Sequence, residues 1–200
     1  MTALTKALAV LESAIGYGLA STAMVTPHLL SRPTPCADWD LAMLLDHVAD
    51  SAQVLDEAIS AGRVDAHVVP AGSDPILRLR GRLDALLASA TAARPPDRPV
   101  AILDRELTAS MVAVTGAIEL AVHGWDIASA CGSDRPVPPG LADVLLVSAR
   151  SLVSARTRPG LFADPVALPG PASVSDEFIA FLGRNPFRAA IPRRPPGLHR

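Results

Sequence analysis

Ile118-Glu119-Leu120-Ala121-Val122-His123-Gly124-Trp125-Asp126 lies in a proline-free stretch, 108–131, and sets ionisable side chains into an otherwise apolar run. Glu119 and His123 are four residues apart, so on a helix they stand one turn apart on the same face. The column through them is Val112, Gly116, Glu119, His123 and Ile127, with no other polar side chain. A carboxylate and an imidazole turned toward a core are costly unless something pairs with them. The partner could be each other, a third polar group or a metal ion. Gly116 costs the helix about 1 kcal/mol relative to alanine. It either leaves room beside the two polar groups or permits a close helix crossing.

The rest of the chain repeats this helical pattern. Its 19 prolines and 13 glycines gather at 27–35, 70–75, 94–99, 132–140 and 159–171, leaving five long stretches nearly free of them. Half of the 200 residues are hydrophobic but only 4% are aromatic, so Ala, Leu and Val must fill the core, which suits packed helices. A first helix is predicted over 2–26, with Leu4, Leu8, Leu11 and Ile15 on one stripe and Pro27 ending it. The loop 31–39 holds two X-Pro steps that favour extended backbone, and Asp38 or Asp40 can cap the next helix. That helix, 41–61, buries Leu41, Leu44, Leu45, Val48, Leu55 and Ile59, and Gly62 stops it.

Asp74-Pro75 opens a third helix that carries Ile76, Leu79, Leu83, Leu86 and Leu87 and ends before Pro95. Val100, Ile102 and Leu103 could be extended, but 97–107 is not assigned as strand. The fourth helix, 108–131, stops at Gly132. A fifth, 139–156, turns Leu141, Val144, Leu145, Ser148 and Leu152 inward, and a short sixth covers 175–183. The expectation is an all-α fold: a four-helix bundle with an additional C-terminal helix and a short helical tail. Residues 1–190 form one domain and 191–200 a Pro/Arg-rich tail. Unequal linkers mean that the topology need not be up and down.

A net charge of −2, with Lys6 the single lysine, gives no reason to expect nucleic acid. The first helix, broken by Lys6 and Glu12, lacks the plan of a signal peptide, and no apolar run elsewhere approaches the ~18 residues of a membrane span. Cys36 and Cys131 are too few for a disulfide framework. These features point to a cytoplasmic protein away from membranes. Outer apolar residues could be shared in a homodimer.

His47 lies near the middle of the second helix's buried stripe, in Leu44-Leu45-Asp46-His47-Val48. A histidine in such a place is either hydrogen-bonded in the core or a ligand. One His on one helix and a Glu/His turn on another can converge to give three ligands with a fourth position open, the catalytic type of zinc site. His28, His67 and His199 read as exposed. Cys36 and Cys131 could serve as soft ligands, but they lack C-x-x-C spacing and read as small buried residues. Trp39 and Trp125 read as packing residues. Asp126 either caps or orients a neighbour or faces water.

Pro33-Thr-Pro-Cys-Ala-Asp-Trp39, Leu44-Leu-Asp-His47-Val48 and Glu119-Leu-Ala-Val-His123-Gly-Trp-Asp126, in that order, resemble actinobacterial DinB-like proteins of the group around the N-terminal domain of mycothiol-dependent maleylpyruvate isomerase. Phe162-Ala-Asp-Pro165-Val166 and Phe181-Leu-Gly-Arg-Asn-Pro186 are similar to a metal-binding subfamily of that group. The resemblance implies a divalent metal, usually zinc, on His47, Glu119 and His123; nickel also suits such ligands. It further implies a low-molecular-weight thiol, mycothiol, that ionises at the metal and attacks a small electrophilic substrate. The isomerase carries a further C-terminal domain for which 200 residues are too few, which places maleylpyruvate itself in doubt as the substrate. The expected function is therefore a thiol S-transferase or thiol-dependent isomerase. The alternatives are a thiol-independent metal-dependent lyase, cyclase or hydrolase, and a non-catalytic metal-binding protein.

Overall fold

Apolar side chains at three- and four-residue spacing specify each long helix, and identifiable caps start and stop them. In the computed structural model, the residues described are 1–36, 39–64, 74–92, 97, 99–102 and 105–187. Helix α1 (Ala3–Thr22) starts at Thr2, whose hydroxyl accepts from the Thr5 amide. Helix α2 (Leu41–Ala61) starts at Asp40, which accepts from the Met43 amide at 2.9 Å, and ends at Gly62 in the left-handed region (φ 73°). Only glycine takes that conformation without cost. Helix α3 spans Pro75–Ala92, and the Asp74 carboxylate accepts from the Ile76 amide at 2.9 Å. Strands β1 (Pro99–Ile102) and β2 (Arg105–Thr108) form an antiparallel hairpin that runs into α4 (Ala109–Ala130), capped by Thr108. Helices α5 (Pro139–Leu152) and α6 (Val174–Phe181) complete the described α-helices, and a 3-10 turn at Pro27–Leu29 follows α1.

The first four helices form an all-α, DinB-like bundle. Helix α1 packs against α4 and α3, and α2 packs against α3 and α4. Consecutive pairs α1/α2 and α3/α4 thus lie across the diagonals. Helix α4 is the central element; fifteen of its residues are buried, which leaves it little polar surface. Helices α5 and α6 pack on each other, with α5 also touching α4 and α1. By length and composition α1 and α4 could each cross a membrane, which corrects the expectation that no apolar run beyond the first helix approaches that length. In the fold, 72% of the most apolar stretch of α4 and 44% of that of α1 are buried among the other helices.

Several sequence expectations are corrected. The segment 97–107 holds strands, because Val100 is fully buried, and β1 also bonds to the chain leaving α2 (Ala101 N to Gly62 O, 3.1 Å; Val64 N to Ala101 O, 3.2 Å). Helix α1 ends at Thr22, short of residue 26, and Thr26 is extended (φ −125°, ψ 154°), as a residue before proline prefers. Helix α5 ends at Leu152 and buries Leu141, Ala142, Leu145, Leu146 and Ala149, leaving the expected Val144 44% exposed. Gly116 does not make room beside the polar pair: a Cβ there would meet the Leu55 methyls at 2.5 and 2.7 Å, so α2 crosses α4 at this point. The expected tail, 191–200, and the candidate cap Asp38 lie outside the described residues.

Candidate metal centre

The α2/α4 crossing brings three sequence-predicted residues together. His47 Nε2 lies 2.9 Å from Glu119 Oε1, and His123 Nε2 lies 3.3 Å from the same oxygen. Ser51, one turn beyond His47, donates to that oxygen at 3.2 Å. The ring of His47 sits between those of Trp39 and His123, with centroid separations of 4.6 and 5.1 Å. One donor atom from each of His47, Glu119 and His123 lies within 4.8 Å of the others.

The fit of these residues to a metal rests on two features. Ligand atoms on bonds of ~2.0–2.2 Å around a tetrahedral ion stand ~3.3–3.6 Å apart. The observed 2.9 and 3.3 Å are of that scale, so small side-chain shifts would admit an ion in place of the direct contacts. The other nitrogen of His123, Nδ1, donates to Asp126 Oδ2 at 3.0 Å. With its proton held there, a neutral ring presents the Nε2 lone pair toward Glu119 and His47, the carboxylate–histidine arrangement common behind metal ligands. Two imidazoles and a carboxylate suit zinc and equally accept nickel.

Asp126 resolves the alternative left by the sequence. It is fully buried and orients His123 rather than facing water. Burial pushes its carboxyl up, but the Arg184 charge and the His123 hydrogen bond outweigh this and hold it below the usual carboxylate range. Burial likewise works against the charged form of Glu119, and the hydrogen bonds from His123 and His47 reverse that, leaving it well below the usual range. For His123, burial disfavours the cation, but hydrogen bonds with Asp126, Cys36 and Glu119 prevail and raise it well above an ordinary histidine. Without metal, the centre is thus a compact set of opposite charges.

Two neighbours escaped the sequence reading. Cys36, read from the sequence as a small buried residue rather than a soft ligand, is half-buried and points its Sγ toward Asp126 Oδ2 (3.5 Å) and His123 Nδ1 (3.9 Å). Together with His123 and Asp126 it forms a second group of metal-type donors. Arg184, just past α6, donates from Nη2 to Asp126 Oδ2 at 2.9 Å and to Cys36 Sγ at 3.1 Å. A fixed cation on these acceptors disfavours a second metal there. The Gly183-Arg184 pair after a short helix was a legible helix-end signal, but nothing in it says what the arginine faces.

The centre opens into a cleft of about 750 Å³. Pro35, Trp39, Leu161 and Phe162 supply its apolar wall, and Thr115 stands one turn from Glu119. Trp39 therefore does more than pack, whereas Trp125 is half-buried against the core. Arg158 holds the wall in place, donating to the carbonyls of Ala163 (2.7 Å) and Phe181 (3.0 Å). His28 is exposed beside Thr26, and Cys131 belongs to neither donor group. His67 and His199 lie outside the described residues.

Residues 11–128, from within α1 almost to the end of α4, match the family described as the mycothiol maleylpyruvate isomerase N-terminal domain. The match includes His47, Glu119, His123 and Asp126. Two uncharacterized proteins of Mycobacterium tuberculosis, MT0763 of strain CDC 1551 and Rv0738 of strain H37Rv, are each 29% identical over 165 residues, covering 78% of this chain and 85% of theirs. These mycobacterial relatives support an actinobacterial origin. No solved structure matches the chain significantly.

Proposed function

This chain belongs to the family of the mycothiol maleylpyruvate isomerase N-terminal domain, and from that premise we propose that it is a metal-dependent enzyme acting on a small electrophile with a low-molecular-weight thiol. Mycothiol is the thiol expected in an actinobacterial cell. The reaction is S-transfer, in which the thiol S–H bond breaks and its proton leaves, and a sulfur–carbon bond forms. The electrophile's leaving group departs with the electron pair of the carbon bond it gives up. Alternatively, the thiol adds, the adduct changes configuration, and the thiol is eliminated again. The observation that carries this reading is the three-donor centre on the floor of an open cleft, with the far side of His123 tied to buried Asp126.

His47, Glu119 and His123 are the residues that would hold the metal, with zinc the leading candidate. When bound, a divalent metal supplies the Lewis acidity that ionises a thiol at neutral pH. Asp126 keeps the Nδ1 proton of His123 in place. Ser51 steadies the carboxylate of Glu119. Pro35, Trp39, Leu161 and Phe162 offer an apolar surface against which the electrophile would lie out of water. The cleft volume falls in the ~300–1,000 Å³ usual for small-molecule sites. Use of a free thiol places the reaction in a reducing compartment, the cytoplasm.

The test is metal analysis of wild type beside His123→Ala, followed by thiol consumption with a chromogenic aryl halide and with maleylpyruvate. About one equivalent of metal in the wild type, little in the variant, and thiol loss only in the metal-loaded wild type is the expected result. Equal metal in both proteins would overturn the site. Turnover of a substrate without any thiol would move the assignment to a lyase, cyclase or hydrolase. A loaded protein that consumes neither electrophile with mycothiol would favour a non-catalytic metal-binding protein.

A further inference from the structure

Helix α6 ends in a turn that fixes where its next side chain goes. The Gly183 amide donates to Ala180 O at 3.0 Å and the Arg184 amide to Ile179 O at 3.1 Å. This pair of bonds is a Schellman motif, which needs a left-handed residue at the turn. Gly183 supplies it with φ 84°, and a Cβ there would meet the Ala163 carbonyl oxygen at 2.7 Å. The turn sends Arg184 back into the protein, where it is only 9% exposed.

Most of the guanidinium's donors are committed inside. Nη1 donates to Leu182 O at 2.9 Å, anchoring the group to its own turn. Nε and Nη2 reach the two different oxygens of Asp126, at 3.4 and 2.9 Å, and Nη2 also reaches Cys36 Sγ at 3.1 Å. A two-point grip stops the carboxylate from rotating, which a lysine's point charge would not do. The gripped Oδ2 is the atom that accepts from His123 Nδ1.

From this chain of contacts we propose that Arg184 is a positioning residue for the metal centre: through Asp126 it locks the ring orientation and tautomer of His123. The inference rests on the reading of His47, Glu119 and His123 as metal ligands. It makes the segment after α6 part of the centre although no ligand comes from it. Arg184 also lines the cleft, but with its fork spent on Asp126 it is not assigned to hold a substrate anion.

The experiment compares wild type, Arg184→Lys, Arg184→Gln, Asp126→Asn and the charge-neutral double variant Asp126→Asn/Arg184→Gln. Zinc affinity is read by competition with a chromophoric chelator, beside thermal unfolding of each protein. Outer partners of ligating histidines typically carry 10–100-fold in metal affinity. Arg184→Gln and Asp126→Asn should each weaken zinc by about that factor, and the double variant by no more than the stronger single. Arg184→Lys should fail to restore wild-type affinity. Unchanged affinity in Arg184→Gln, or losses that multiply in the double variant, would overturn the proposal.

A second readout does not need the metal. In ¹⁵N spectra of the chelator-treated protein, recorded on the neutral form of the ring, wild-type His123 should hold its proton on Nδ1. Arg184→Gln should mix the tautomers, and an unmixed spectrum would count against the role. Failure of wild type to bind zinc would remove the ligand assignment, while these spectra would still decide whether Arg184 sets the tautomer. If Arg184→Gln does not fold, the neutral double variant, which buries no lone charge, carries the comparison with Asp126→Asn.

Discussion

Gly124→Ala should destabilise the protein while Gly116→Ala should leave it nearly unchanged, although the new methyl at 116 would meet its neighbour more closely. At Gly116 an added Cβ lies 2.5 and 2.7 Å from the Leu55 methyls, and at Gly124 it lies 2.9 and 3.0 Å from the Tyr17 ring. Distance alone ranks Gly116 as the worse site. The freedom of the neighbour reverses the ranking. Leu55 touches with the far end of a flexible side chain, is 8% exposed, and can swing outward. Tyr17 is pinned: its hydroxyl donates to Arg135 O at 2.7 Å and the Arg135 guanidinium lies over the ring, 5.2 Å from the centroid. The Gly18 backbone, 3.5 Å from the new methyl, is already in ordinary contact, so the pinned Tyr17 ring on α1 must give way.

Overpacking a close-packed core costs about 1–3 kcal/mol, and replacing a helical glycine by alanine returns about 1 kcal/mol. At Gly124 the rigid neighbour puts the cost in the upper half of that range, for a net loss of about 1–2 kcal/mol. At Gly116 the two contributions cancel to within about 0.5 kcal/mol. For a chain of this size about 1 kcal/mol corresponds to ~2–4 °C in Tm, so Gly124→Ala should melt about 2–8 °C lower. Circular dichroism melts at 222 nm, with and without zinc, provide the assay. Equal Tm values, or a lower Tm for Gly116→Ala, would refute the argument that neighbour mobility outranks contact distance.

The metal-free protein should be most stable between about pH 4.5 and 6.5, the interval between ordinary carboxylate and histidine values. Glu119 and Asp126 are depressed, so their contribution is complete above ordinary carboxylate values and is lost as pH falls through their lowered ones; His123 is raised, so its contribution is complete below an ordinary histidine value and is lost as pH rises through its higher one. Urea unfolding with chelator present should show that decline on the alkaline side, and zinc should abolish it because binding at Nε2 displaces the proton. Stability rising from pH 6 to 8 without metal would contradict the charge assignment. Gly183→Ala should lose at least ~1–2 kcal/mol from the left-handed backbone alone, and should weaken zinc binding as Arg184 shifts. A wild-type Tm in that variant would show that the turn can relax. Tyr17→Phe should cost ~1 kcal/mol by leaving the Arg135 carbonyl without its donor, seen as a Tm reduction with zinc affinity unchanged.

The stripes of α1, α2 and α3, the Asp40 and Asp74 caps and the Gly62 stop were all legible because each depends on residues within a turn or two of one another. So was the pairing of Glu119 with His123 on one face. The hairpin was missed because its four-residue strands carry too little periodicity, and burial of Val100 against the bundle supplies what the local signal lacks. Val144 was misplaced because α5 is apolar on more than one face, and only its neighbours choose which side is covered.

The sequence by itself determined a helical bundle and the residue types able to bind a metal, since local spacing and side-chain chemistry suffice for both. Tertiary structure decided that His47 meets Glu119 across 72 positions, that Cys36 reaches His123 across 87, and that Arg184 grips Asp126 across 58. It also decided that Gly116 serves a helix crossing. Such meetings depend on how the helices cross and where a turn aims the chain, and a one-dimensional pattern holds no record of which distant partner will satisfy a buried charge.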